Sequence, residues 1–121
     1  MKPSEVLDAA ANIVIRDGWN QGTYYRTENP EWNEEEAKSA PCCQAGAVNR
    51  AALGYAWGPM GAIDQRGLEA RDKADSYMRE YVSSELGQGS PIAWNDCPTT
   101  TADDVIAALR GAAERAREAG E

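Results

Sequence analysis

Cys43 and Asp96 are the residues of this sequence whose types suit covalent or acid–base chemistry. Cys43 stands in the first turn of an expected helix, where the dipole favours a thiolate. A cysteine nucleophile usually works with an imidazole base, and the chain has no histidine, so a Cys–His mechanism is excluded. Asp96 would have to act in place of the imidazole. The alternative is that Cys43 is a small buried hydrophobe, the commonest state of an unpaired cysteine. A pair of carboxylates would need a second acid from Asp17 or from the run between Glu28 and Glu36, and nothing in the sequence sets that distance. Structural zinc is not expected: Cys42 and Cys43 are adjacent, so on a helix they point about 100° apart, and Cys97 has no nearby mate. No cofactor is expected, because no glycine-rich phosphate loop follows a strand or precedes a basic residue.

Three short strings bring large or reactive side chains next to glycines or short polar residues: Gly18-Trp19-Asn20-Gln21-Gly22, Cys43-Gln44-Ala45-Gly46-Ala47 and Trp94-Asn95-Asp96. Each falls where a helix is expected to end or begin, where backbone groups need side-chain partners. Asn95 and Asp96 are of the kind that shape a loop by bonding neighbouring backbone. Their other reading places them, held by Trp94, at a pocket beside Cys43 and Gln21. The small face made by Gly46 and Ala47 is expected to receive two indoles, so that Trp19, Cys43, Gly46 and Trp94 meet in one buried cluster. Within it, Asn95 or Asp96 should bond backbone at a helix end.

The elements that must position these residues are helical. Ser4 is expected to cap a first helix running to about Arg16, with Val6, Leu7, Ala10, Ile13 and Val14 on one face. Gly18 should end it as the left-handed residue of a Schellman motif, with Trp19 folding back on Val14. A second helix should start near Ser39 to Pro41 and continue through Cys43, Ala47, Val48 and Ala51 to Tyr55, broken by Trp57-Gly58-Pro59-Met60-Gly61. A third spans about Asp64 to Leu86, ended by Gly87 and Gly89. Thr101 and Asp104 form a capping-box variant ahead of a last helix bearing Val105, Leu109, Ala112 and Ala116. Residues 20 to 38 are expected to be an irregular loop or short hairpin, with the acidic run as a solvated loop. The expectation is an all-α, single compact domain of about four helices over residues 1 to 121.

Composition narrows the function classes. Val, Ile and Leu number fifteen and Phe is absent, but four Trp and five Tyr supply area enough for a folded, thin core. A formal charge of −8 argues against binding nucleic-acid phosphates or an anionic membrane surface. No stretch reaches the roughly 20 apolar residues of a membrane span, and the N-terminus lacks the layout of a secretion signal. A soluble protein of the cytoplasm is expected, and three cysteines, two of them adjacent, suit a reducing compartment.

On these residues the chain resembles an uncharacterised family of small proteins found in actinobacterial genomes and their phages. The motifs are G-W-x-Q-G at Gly18, Trp19, Gln21 and Gly22, C-x-x-G-A at Cys43, Gly46 and Ala47, and W-N-D at Trp94, Asn95 and Asp96. Many relatives carry a cysteine where this chain has Asn20, which argues against paired cysteines as the working groups. The resemblance implies an origin and no activity.

The expected function is that of a non-enzymatic accessory protein of the phage or bacterial cytoplasm that binds a host protein or a small ligand. Trp19, Gln21, Tyr24, Tyr25, Trp32, Trp94, Asn95 and Asp96 are the expected binding residues, since Trp and Tyr dominate binding hot spots. Tyr24, Tyr25 and Trp32 with Glu31, Glu34, Glu35 and Glu36 are the expected partner surface. Two alternatives stand beside it: a cysteine-dependent hydrolase or transferase using Cys43 and Asp96, and an acidic mimic of nucleic acid.

Overall fold

A computed structural model describes residues 1–58 and 64–121. The described residues form six helices and no strand: α1 Pro3–Asp17, α2 Glu34–Ser39, α3 Gln44–Leu53, α4 Gln65–Leu86, α5 Pro91–Asn95 and α6 Ala102–Glu118. The protein is all-α, as its periodicity predicts. α1, α3, α4 and α6 pack on one another, with α1 touching the other three. Their apolar stripes close one core from Val6, Leu7, Ala10 and Val14 of α1, Val48 of α3, Met78 and Val82 of α4, and Val105, Leu109 and Ala112 of α6. Burial of the Val, Leu and Met side chains among these stabilises by about 1.5–3 kcal/mol each. Where alanine and glycine leave space, an aromatic enters: the Tyr81 ring of α4 lies where a β-carbon at Gly111 would stand.

Several helix ends differ from the sequence reading. α1 begins one residue ahead of Ser4, with Lys2 as N-cap and its N–H donating to Glu5 Oε1 at 2.9 Å. Ser4 is instead buried, its hydroxyl donating to the Glu121 carbonyl at 3.0 Å. Gly18 ends α1 at φ 100°, ψ 171°, outside the left-handed helical well, so no Schellman ending forms. Its carbonyl accepts from Cys42 N–H at 3.3 Å, and that pairing draws the chain away from the helix. α3 starts at Gln44, later than expected, and stops at Leu53 because Gly54 takes a left-handed turn at φ 95°. Tyr55 is therefore outside the helix. Pro59, Met60 and Gly61 of the expected break lie outside the described residues. The acidic run is not all loop: Glu34, Glu35 and Glu36 form the first turn of α2, capped by Asn33. Trp94 and Asn95 sit on a helix, α5, rather than in a loop. The ends of α4 and α6 match expectation, with Gly87 left-handed at φ 66° and Thr101 and Asp104 closing a reciprocal cap.

Candidate functional site

Residues 41–43 run extended between two other segments. On one side Asn20 N–H donates to Cys42 carbonyl at 3.1 Å; on the other Arg26 N–H donates to Pro41 carbonyl at 2.8 Å and Cys43 N–H to Tyr24 carbonyl at 3.2 Å. Two isolated bridges result, Trp19 with Cys42 and Tyr25 with Cys42. These bonds explain the late start of α3, since the backbone of 41–43 is already engaged. They also require Gly46: a β-carbon there would collide with the Tyr24 carbonyl oxygen. The space that Gly46 leaves thus admits a backbone, not the indole that the sequence suggested.

Asn95, 1% exposed, joins the three motif segments. Its Oδ1 accepts from Trp19 Nε1 at 2.9 Å and from Gln44 N–H at 3.0 Å. Its Nδ2 donates to the Asn20 carbonyl at 3.1 Å and to Asp96 Oδ1 at 3.1 Å. Gln44 N–H is the first orphan donor of α3, so Asn95 caps that helix from 51 residues away in the chain. Gln21 Nε2 adds bonds to the carbonyls of Asn95 and Cys97, both 3.0 Å, and Asp96 Oδ1 accepts from Gly22 N–H at 2.9 Å. The expectation that Asn95 or Asp96 bonds backbone at a helix end is met through Asn95. Asn20 holds its own loop by donating to Thr23.

Cys43 is the N-cap of α3 rather than a residue of its first turn, and its Sγ accepts from Gly46 N–H at 3.3 Å. Burial pushes its thiol up, and the nearby Asp96 carboxylate adds to that shift against the helix amides that oppose it. Cys42, fully buried, is pushed up to about 11 by the same desolvation. Cys97 is partly exposed, and its thiol is lowered by hydrogen bonding from the Thr99 hydroxyl. Among the described residues no group of three or more Cys, Asp or Glu side chains could hold a metal ion.

Gly22, Thr23, Tyr24, Cys43, Ile92, Asn95 and Asp96 line a pocket of about 110 Å³ beside this junction. Cys43 and Asn95 are its buried members, while Tyr24 and Ile92 stand at the surface, 38% and 52% exposed. The structure thus brings Trp19, Gln21, Tyr24, Cys43, Asn95 and Asp96 together. It sets the others apart. Trp94 is buried and lines a groove with Tyr81, Leu86 and Ala108 of α4 and α6; Trp19 is only half-buried and the Tyr24 backbone fills the space at Gly46, so the expected buried cluster of Trp19, Cys43, Gly46 and Trp94 does not form as such. Tyr25 is core. Trp32 packs edge-on against Tyr55, centroids 6.4 Å apart, and its Nε1 donates to the Trp57 carbonyl at 2.6 Å. Gly22 belongs to the G-W-x-Q-G string, but Thr23 and Ile92 carry no functional signal in the sequence; an apolar Ile92 after Pro91, in a segment too short to show a helical period, is the one hint it offers.

A family model described as a family of unknown function (DUF6197) matches residues 1–115. The chain belongs to this family. The DUF6197 match takes in α1 to α5 whole, the Asn95 junction and most of α6. No curated protein and no solved structure matches the chain.

Proposed function

We propose that this chain is a non-catalytic binding protein, an accessory factor of a bacterial or phage-infected cytoplasm, of actinobacterial origin as its motifs suggest. Its ligand enters the pocket between Tyr24 and Ile92. The observation that carries this reading is the pocket itself: two exposed apolar lips over buried Cys43 and Asn95, on a frame that Asn95 locks in place. At about 110 Å³ it is smaller than the roughly 300–1,000 Å³ of drug-sized sites. Its occupant is the tip of a partner's side chain or a ligand of a few heavy atoms.

The same geometry weighs against the hydrolase or transferase reading. The Cys43 sulfur is occupied as a helix cap, its thiol is raised, and Asp96 beside it opposes ionisation instead of promoting it. A nucleic-acid mimic needs carboxylates arrayed outward like phosphates. Here many face the chain's own arginines: Asp8 with Arg110 and Arg117, Asp17 with Arg16 and Arg50, Asp75 with Arg79, Glu85 with Arg115.

The test is amide NMR during titration with a fragment set of small amines, amides and branched alcohols. Shifts confined to Gly22, Thr23, Tyr24, Ile92 and Asp96, and lost in Tyr24→Ala, support the pocket. A set that moves none of these amides removes it. Rapid stoichiometric alkylation of Cys43 by iodoacetamide in folded protein at neutral pH would transfer the assignment to cysteine chemistry.

A further inference from the structure

Away from the pocket, Trp32 and Trp57 remain 37% and 52% exposed. Trp32 is nonetheless fixed. Its ring lies on Gly58, where a β-carbon would stand 2.7 Å from Nε1 and 2.8 Å from Cε2, and its edge meets Tyr55. With its N–H consumed by the Trp57 carbonyl, Trp32 has no donor left for a ligand. What it offers is a π face and apolar area, already ordered, so little rotamer freedom is lost on binding.

The charges that flank Trp32 along the chain select its occupant. Five glutamates lie within four residues of Trp32 in the chain: Glu28, Glu31, Glu34, Glu35 and Glu36. Glu34 pairs with Lys38 and Glu36 accepts from Asn29. Glu28, Glu31 and Glu35 are exposed and make no side-chain hydrogen bond or ion pair among the described residues. We propose that the Trp32–Trp57 face docks a basic, arginine-bearing segment of a partner protein. The guanidinium stacks on an indole while its N–H fork reaches the free carboxylates, a combination that lysine matches less well. This surface is separate from the pocket and does not depend on it.

The probe is an acetylated Gly-Arg-Leu-Arg-Gly peptide, with lysine and glutamate counterparts, followed through the indole N–H signals of Trp32 and Trp57. The arginine peptide should shift both signals, the lysine peptide should bind several-fold more weakly, and the glutamate peptide should do nothing. Trp57→Ser should weaken binding about tenfold. A Glu28→Gln, Glu31→Gln, Glu35→Gln triple variant leaves the rings intact and should weaken binding and flatten its salt dependence. The amides of Gly22, Thr23 and Tyr24 should stay still. No response at millimolar arginine peptide, equal binding by both variants, or equal response to the glutamate peptide overturns the proposal. So does a concentration-dependent dimer that Trp57→Ser abolishes, which would give this face to a second copy of the chain.

Discussion

Two irregular regions sit on the same helical frame, and they are held by different means. The junction of residues 18–26, 41–44 and 95–97 is a network of hydrogen bonds centred on one buried amide, in which Trp19 serves as a donor. The Trp32 region is held by ring packing and a single indole bond to Trp57. The first has many directional partners in a dry setting, where an unmade bond costs more than a made bond contributes. The second rests on partly wet apolar contact, which weakens gradually as area is lost. A side chain that satisfies several backbone groups at once specifies a loop; an aromatic lying on a glycine only fastens it.

The sharpest way to break the contrast is Asn95→Ala. It strands Gln44 N–H and the Asn20 carbonyl in a buried place at roughly 1–3 kcal/mol each, so the loss in a urea or thermal unfolding measurement should reach about 4 kcal/mol. A loss under about 1 kcal/mol would mean that water replaces the amide readily, and the two regions would then be alike. Gly46→Ala comes next. The new methyl group meets the Tyr24 carbonyl, and the expected cost is about 3 kcal/mol, accompanied by amide shifts at Tyr24 and Cys43.

Cys42 gives a pH signature to the same junction. Its folded-state thiol, pushed up to about 11 from 9.0, stays protonated while the unfolded thiol ionises. The unfolded state therefore releases the proton first, and stability present below pH 9 falls between pH 9 and about 11. The loss should total about 2–3 kcal/mol in parent protein. Cys42→Ala should remove the Cys42 share of that alkaline limb and leave the part that the raised Cys43 thiol contributes, as equilibrium unfolding at a series of pH values would reveal. Trp32→Ala has the smallest expected effect, about 1–2 kcal/mol, because the ring is already partly in water. A cost as large as that of Asn95→Ala would make Trp32 core and erase the distinction.

Sequence made the frame visible and the junction only in outline. α1, α4 and α6 are long enough for apolar residues to repeat at helical spacing, and the caps at Thr101 and Gly87 use residue types that name their conformation. α2 and α5 have six and five residues, too few for a period to emerge. Ser39 and Pro41 looked like a helix start, yet Ser39 ends α2, its hydroxyl donating to Glu35 carbonyl, and Pro41 lies in the extended segment. Gly18 carries the right residue type for a Schellman ending, but tertiary pairing with Cys42 decided its geometry. Trp19, Gln21, Cys43, Asn95 and Asp96 stand out in the sequence as motif residues, and the fold brings them together. Their arrangement was hidden because Asn95 acts on an indole and on backbone groups 51 to 76 residues away, and no local pattern encodes such a partner. The thiol cap at Cys43 was hidden for another reason, since cysteine is not among the usual capping residues.

The reach of Asn95 also bears on how the chain acquires its shape in time. Helices α1, α4 and α6 form from neighbours within a turn, on a sub-microsecond to microsecond scale. The bonds of Asn95 close loops of 51 to 76 residues, and that closure entropy must be met before any of them forms. The packing of α6 on α1 closes a loop longer still, 102 residues between Asp8 and Arg110, so kinetics decide the order: an Asn95→Ala that speeds unfolding and leaves the folding rate unchanged puts the junction after the rate-limiting step, and one that slows folding puts it within that step. In the first case Asn95 is a latch, setting how long the folded molecule lasts and not how fast it is reached.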